Sequence, residues 1–170
     1  MTRNGLTALG VIIGLVVLAA DQASKYWMLH VIQLPEIGSI AILPVLNLTF
    51  VENRGITFGL LSSGGSGFAT AALAGVALAV VVGLGIWLRR AETALVAGAL
   101  GAICGGAIGN VLDRGRLGYV VDFIHAHVGD WSWYVFNVAD AAIVCGVAAL
   151  VLDSLIGRRA NSLADDPGRG

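Results

Sequence analysis

Four apolar stretches, each close to the length that crosses a bilayer, constrain this chain more than any other feature. About 30 Å of hydrocarbon at about 1.5 Å per helical residue calls for roughly 20 apolar residues. The first stretch runs from Leu6 to Ala20 and continues past Asp21 toward Leu29. The second is Phe68–Leu88, the third Ala94–Leu112 and the fourth Val138–Ile156. Hydrophobic residues make up 57% of the 170 and charged residues only 12%, too few to coat a water-soluble domain of this size. The reading is an all-α membrane protein of four transmembrane helices. One unit is expected over residues 1–160, followed by a polar, disordered cytoplasmic tail over 161–170.

The first stretch superficially resembles a secretory signal, with Arg3 before it and Leu18-Ala19-Ala20 at its end. A cleavage site wants small residues both one and three positions before the cut, and Leu18 fits poorly, so the segment reads as a retained helix. Basic residues near the span ends set the orientation. Arg3, Arg89, Arg90, Arg158, Arg159 and Arg169 fall on one side, and Lys25, Arg54, Arg114 and Arg116 on the other. The Arg89-Arg90 and Arg158-Arg159 pairs abut span ends, which makes that side cytoplasmic, both termini included. Residues from about 21 to 67 and from about 113 to 137 then face outward.

That assignment makes the acidic residues informative. Seven of eleven lie on the outer side: Asp21, Glu36, Glu52, Asp113, Asp122, Asp130 and Asp140. A carboxylate near hydrocarbon costs a few kcal/mol unless paired or hydrated, so its presence there needs a reason. The outer segments also carry strand signals. Leu46, Leu48 and Phe50 alternate with Asn47 and Thr49, between Pro44 and Gly55. Tyr119 to Ile124, a Gly129-Asp130 turn, and then Trp131, Trp133, Tyr134 and Phe136 read as a short hairpin with interfacial aromatics. A small extracytoplasmic β layer over the four helices is expected.

Gly101, Gly105 and Gly109 recur every four residues on one face of the third span, where small residues let helices approach closely in lipid. Asn110, Asp113 and Arg114 follow on one face at its outer end. Asn137 and Asp140 repeat the spacing at the start of the fourth span. There, Asn137 suits a helix cap and Asp140 a partner for the helix dipole. Asp122 is harder to explain structurally, because it interrupts the apolar run Val120-Val121-Asp122-Phe123-Ile124.

Two carboxylates converging at a partly dry site share one proton when about 3 Å apart, and such a pair activates water against a peptide carbonyl. No Gly-x-Ser-x-Gly elbow occurs. His125 and His127 lie on one strand face without a clear third ligand, so no metal or cofactor is expected. The net charge of −1 without a basic stripe argues against a nucleic-acid partner. Cys104 and Cys145 read as small packing residues inside apolar runs. From the residues alone, a transporter using intramembrane Asp and Asn, or a scaffold using the glycine face, stands beside a hydrolase. Polar residues gathered at one surface speak against a transport path, and a scaffold leaves the aspartates unexplained.

Five segments in chain order resemble the lipoprotein signal peptidase (signal peptidase II) family: Asp21-Gln22-Ala23-Ser24-Lys25, Glu52-Asn53-Arg54-Gly55-Ile56-Thr57-Phe58, the run from Gly105 to Arg114, Val120-Val121-Asp122-Phe123, and Phe136-Asn137-Val138-Ala139-Asp140. The resemblance spans about residues 6 to 156. It implies an aspartic endopeptidase of the bacterial inner membrane, inhibited by globomycin. Its substrate would be a prolipoprotein whose lipobox cysteine carries a diacylglyceryl group, cut just before that cysteine. The implied catalytic pair is Asp122 and Asp140. The implied supporting or substrate-binding residues are Asp21, Lys25, Asn53, Gly55, Asn110, Asp113, Arg114 and Asn137, with Asp113 beside the family's arginine rather than at a catalytic position; the adjacent charges of Asp113 and Arg114 suggest either a local ion pair or two groups reaching different partners. Thr57 departs from the Ala or Ser usual in the family. Membrane lipids are the expected surroundings, a monomer the expected state, and the aromatic hairpin the expected clamp over bound peptide.

Overall fold

The computed structural model describes residues 1–55, 66–129 and 131–164, so Thr57 and Asp130 lie outside the described residues. Helix α1 (Arg3–Tyr26) starts at Thr2, whose hydroxyl accepts the Gly5 N–H at 3.2 Å, and runs into a π-helical turn, Trp27–Val31. A short helix α2 (Leu34–Ile37) and strands β1 (Ser39–Leu43) and β2 (Leu46–Asn53) follow. Two long helices come next, α3 (Ser66–Leu88) and α4 (Ala94–Leu117), then β3 (Val120–Val128), β4 (Trp131–Ser132) and α5 (Val138–Ala164). Four helical segments are long and apolar enough to span a bilayer: Arg3–Val31, Thr70–Leu88, Ala94–Leu117 and Val138–Ile156. The third continues past its expected end at Leu112. Arg114 and Arg116 complement the negative end of its dipole, and Gly118, at φ +82°, caps it with its N–H on Arg114 O. The fourth stays helical to Ala164, into the segment expected as tail; residues 165–170 lie outside the described residues.

Helix α4 is the hub, packed against α1, α3 and α5. Large side chains such as Val11, Ile12, Leu15, Val76, Val82, Val144 and Leu155 point outward, while Leu6, Leu88 and Leu100 pack between the helices and glycines make the closest backbone approaches. Gly101 and Gly105 lie against the carbonyls of Gly10 and Gly14 on α1 so closely that no Cβ fits at either position. A Cβ at Gly106 would sit 2.6 Å from the Ala139 carbonyl of α5. The four-residue glycine spacing therefore serves backbone approach, with α1 as its partner. Gly109, the last of the series, lies against the Asp21 carboxylate, so the stripe leads directly into the polar cluster.

The sheet caps one end of the bundle as four antiparallel strands in the order β1-β2-β3-β4, with α3 and α4 inserted between β2 and β3. Strand β1 is absent from the sequence reading; its run Ile40-Ala41-Ile42-Leu43 has no alternation to mark it. Leu34, Val121 and Phe123 form a second small core, joined by Leu48, Phe50, Ile32 and Val138, which seats the sheet on the end of α1 and the start of α5. The β2–β3 register pairs Val51 with Asp122 and Asn53 with Val120, which brings the end of β2 over the buried Asp122.

Candidate active site

The residues singled out from the sequence meet where α1, α4, β3 and α5 converge. Lys25 is the foundation. Only 3% exposed, its ammonium lies 2.8 Å from both Asp21 Oδ2 and Asp113 Oδ2 and donates to Asn110 Oδ1 at 3.0 Å. All three donors of Lys25 are thereby used, which is what makes a buried ammonium tolerable. Each carboxylate in turn ties down a neighbouring element. Asp21 Oδ1 accepts the Ala139 N–H at the start of α5, at 3.0 Å, and Asp113 Oδ2 accepts the Val121 N–H of β3, at 3.2 Å. Gln22, which the sequence reading passed over, donates to Asp113 Oδ1 at 3.0 Å and to the Gly109 carbonyl at 3.3 Å. Its only signal was its place beside Asp21.

On this foundation stand Asn110, Asn137, Asp122 and Asp140. Asn137 caps α5 reciprocally: its Oδ1 accepts the Asp140 N–H at 2.9 Å, and Asp140 Oδ2 accepts the Asn137 N–H at 3.2 Å. The cap occupies one Asp140 oxygen and leaves the other, Oδ1, to accept from Asn110 Nδ2 at 2.8 Å. The cap holds the rotamer that aims the second oxygen at Asn110. The Asn137 amide donates to Asp122 Oδ1 at 2.7 Å, and Asn53 donates to Asp122 Oδ2 at 2.9 Å. One asparagine thus holds both carboxylates, Asp122 through its side-chain amide and Asp140 through its backbone N–H. Asp122 is 1% exposed, whereas Asp140 is half-buried. Burial first, and then the negative charge of Asp140, push the Asp122 carboxyl up to about 6, against the opposing pull of the Asn53 and Asn137 amides and the Lys25 charge.

Two residues sit apart from the pair. Asp113 does not pair with Arg114; adjacent on the helix, they reach different partners, and Asp113 supports Lys25 and β3 instead. Arg114 donates weakly to the Asn110 carbonyl at 3.4 Å and, with Arg54, lines a cavity of about 420 Å³ between α3 and α4. Gly55 closes β2 at φ +72°, a left-handed conformation that suits glycine, and its N–H is held by Asn53 Oδ1 at 2.9 Å. Asn53 is thereby oriented from below while its amide reaches Asp122. The residues from Val51 to Gly55, Asp122, His125 and the stretch Ser132–Val135 surround an open groove of about 620 Å³. Among the described residues, no cluster of three or more His, Cys, Asp or Glu is arranged to hold a metal.

The sequence and the fold both have counterparts among known proteins. Residues 13–156 match the family model of signal peptidase (SPase) II. The lipoprotein signal peptidase of Methylorubrum extorquens is 50% identical over 153 residues, covering 90% of this chain and 86% of that protein. The lipoprotein signal peptidase of Methylocella silvestris is 47% identical over 151 residues, covering 89% and 88%. Among solved structures, a bacterial membrane enzyme determined by the in meso method at 1.9 Å resolution is similar with a TM-score of 0.74 and 25% identity. That similarity covers 86% of this chain and 92% of the other.

Proposed function

The chain belongs to the signal peptidase II family of bacterial inner-membrane peptidases, which remove signal peptides from prolipoproteins, and on that basis we propose that Asp122 and Asp140 are its catalytic pair. The observation that carries this reading is Asn137, whose side-chain amide donates to the Asp122 carboxylate and whose backbone N–H donates to that of Asp140, linking two carboxylates above a buried ion cluster. The raised Asp122 keeps a proton to higher pH and donates it in a hydrogen bond to the scissile carbonyl oxygen. Asp140 takes a proton from the attacking water. Water oxygen bonds to the carbonyl carbon while the Asp122 proton passes to the carbonyl oxygen, giving a neutral diol. As the C–N bond breaks, Asp140 returns its proton to the departing amine and Asp122 recovers one from the diol. Atoms balance with one water consumed, and the pair ends as it began.

Asn53, Asn110 and Asn137 hold the two carboxylates, and Asp21, Lys25 and Asp113 hold the elements beneath them. Gly55 borders the groove where the peptide backbone lies, and Arg114 lines the cavity between α3 and α4 that shares Arg54 with it. The groove beside Asp122 takes an extended peptide whose cysteine carries a diacylglyceryl group, with the acyl chains remaining in the surrounding lipid. The enzyme works as a monomer. Residues 1–160 form the peptidase unit, and the remaining residues take no part in the chemistry. Purified protein given a diacylglyceryl-modified prolipoprotein should release the signal peptide, read by mass, with the cut before the modified cysteine. Failure on that substrate, with cleavage of the unmodified precursor instead, refutes the substrate reading.

The sheet end of the bundle faces outward and both termini are cytoplasmic, because Arg3, Arg89-Arg90 and Arg158-Arg159 lie at the opposite end. A reporter active only outside the cytoplasm should work when fused after Gly64 and stay silent after Arg90 or at the C-terminus. Activity of the C-terminal fusion would reverse the orientation.

The raised Asp122 carboxyl also sets a pH dependence. Folded protein binds this proton more tightly than the unfolded chain, so the residue's contribution to stability declines as pH rises from about 4 through about 6. In catalysis the same proton is essential, so kcat/KM should fall above about pH 6 with the loss of one proton. Bound peptide displaces water from the groove and raises the carboxyl further, so the falling limb of kcat should lie at higher pH. A kcat limb at lower pH than that of kcat/KM contradicts this assignment of the acid.

A further inference from the structure

The chemistry uses the residues around the two aspartates but not a line of polar side chains that crosses the sheet beside them. Ser39 on β1 lies 2.8 Å from Thr49 on β2, hydroxyl to hydroxyl. Thr49 Oγ1 lies 3.3 Å from His125 Nδ1 on β3, and His125 Nε2 lies 2.5 Å from Ser132 Oγ on β4. One side chain from each of the four strands is thus joined in series. Because the Ser132 hydroxyl gives its one proton to the Trp133 carbonyl, the full link takes the tautomer with the ring proton on Nε2, donated to Ser132, while Nδ1 accepts from the Thr49 hydroxyl.

Among the described residues, strand β4 has little else to hold it. Its ladder consists of His127 with Ser132 and Val128 with Trp131, and the Trp133 N–H adds one bond to the Ala126 carbonyl at 2.9 Å. Pairing resumes only where Phe136 meets Ile124. Trp133 and Tyr134 are 54% and 81% exposed, so packing does not fix them either. Yet Ser132 to Val135 form one wall of the groove that contains Asp122. The Ser132 hydroxyl, held by His125, in turn lies 3.3 Å from the Trp133 carbonyl as donor.

We propose that His125 is a positioning residue for the substrate: through Ser132 it sets the place of the Trp133–Val135 wall, and with it the groove's affinity for an extended peptide. This rests on the reading that the groove beside Asp122 holds the substrate. His125 does not act on the reacting bond. A wall ordered in advance loses less freedom when peptide binds, so breaking the link weakens binding more than chemistry.

The test is steady-state cleavage of a diacylglyceryl-modified prolipoprotein by variants of the full chain. His125→Ala and Ser132→Ala should each raise KM about three- to tenfold, the scale of one hydrogen bond, with the loss falling on KM rather than kcat. The double variant should be no worse than either single one, because both cut the same link. His125→Gln, whose amide reaches Ser132, should recover most of the parental KM. Parental KM in both single variants, additive losses in the double one, or a fall in kcat with KM unmoved overturns the proposal. Should His125→Ala fail to fold, Ser132→Ala at the exposed strand decides by the same criteria. The parent and Asp122→Asn run alongside. An inactive parent or an active Asp122→Asn refutes the site itself, whereas a normal parent with unmoved KM in the link variants refutes only the role of His125.

Discussion

Asp122→Asn and Asp140→Asn should each lose prolipoprotein cleavage by at least about 10³-fold while keeping the parent's fold, because two carboxylates that pass protons act as a unit. The amide matches the carboxyl in size but cannot accept and return the proton. The expected partners differ between the two variants. At position 122 the carboxyl is held by the Asn53 and Asn137 amides, so an amide introduced there turns a donor toward one of two donors. At position 140 the same clash falls on Asn110 or on the helix cap. The clash at position 140 bears on Asn110, a partner of Lys25, whereas that at position 122 bears on Asn53 or Asn137, so melting in detergent should drop modestly in both and further in Asp140→Asn. Combining the two substitutions should cost little more activity than either alone. Asp113→Asn is the informative contrast. Its carboxylate supports Lys25 and the Val121 N–H rather than the reacting pair, so it should lose stability and part of the rate without silence. Robust turnover by Asp122→Asn with a dead but folded Asp113→Asn would move the pair to Asp113 and Asp140.

Lys25→Met should be the most destabilising change at the polar end of the bundle. The ammonium is the shared partner of Asp21, Asp113 and Asn110, all buried or nearly so. Removing it leaves two carboxylates facing each other without a cation, and breaking a buried ion pair from one side costs about 3–5 kcal/mol. The damage spreads because Asp21 holds the start of α5 and Asp113 the start of β3. Adding Asp113→Asn to Lys25→Met should restore part of the melting temperature, since it removes one of the uncompensated charges. Lys25→Met melting with the parent, or the second substitution making it worse, would show that the cluster is held by something other than its ammonium.

Much of this architecture is legible along the chain because membrane spans are dictated locally. An apolar run of sufficient length must become a helix in lipid, where every backbone group needs an internal partner. The second and fourth spans consequently fall where the hydropathy puts them, at Leu88 and at Val138–Ile156. Strands β2 and β3 are equally visible through alternation and through the Gly and Pro that bound them. Strand β1 is not, since an unbroken run of four apolar residues carries no period and becomes a strand only by pairing with β2. The continuation of α4 to Leu117 depends on a cap at Gly118, a stop signal more weakly written than the fall in hydropathy at Asp113.

The candidate site divides along the same line. Composition and spacing alone establish a membrane-spanning bundle with its carboxylates gathered at one end, and the ordered motifs establish the family, because these depend on neighbours within a helical turn or a strand. Which carboxylate serves which purpose depends on partners far along the chain. Asp21 reaches Ala139, 118 positions away, Lys25 reaches Asn110 across 85, and Asn53 reaches Asp122 across 69. The adjacent opposite charges of Asp113 and Arg114 left open a local ion pair or two groups reaching different partners; successive residues on a helix point about 100° apart, and the buried cation that Asp113 meets belongs to α1. Glycine spacing on α4 marked a close contact, but only packing chose Gly10 and Gly14 as its other side, bringing α1 near enough for Lys25 to enter the cluster. Local pattern supplies the helices and their polar ends; backbone approach across glycine and charge neutralisation in a dry interior decide which side chains meet.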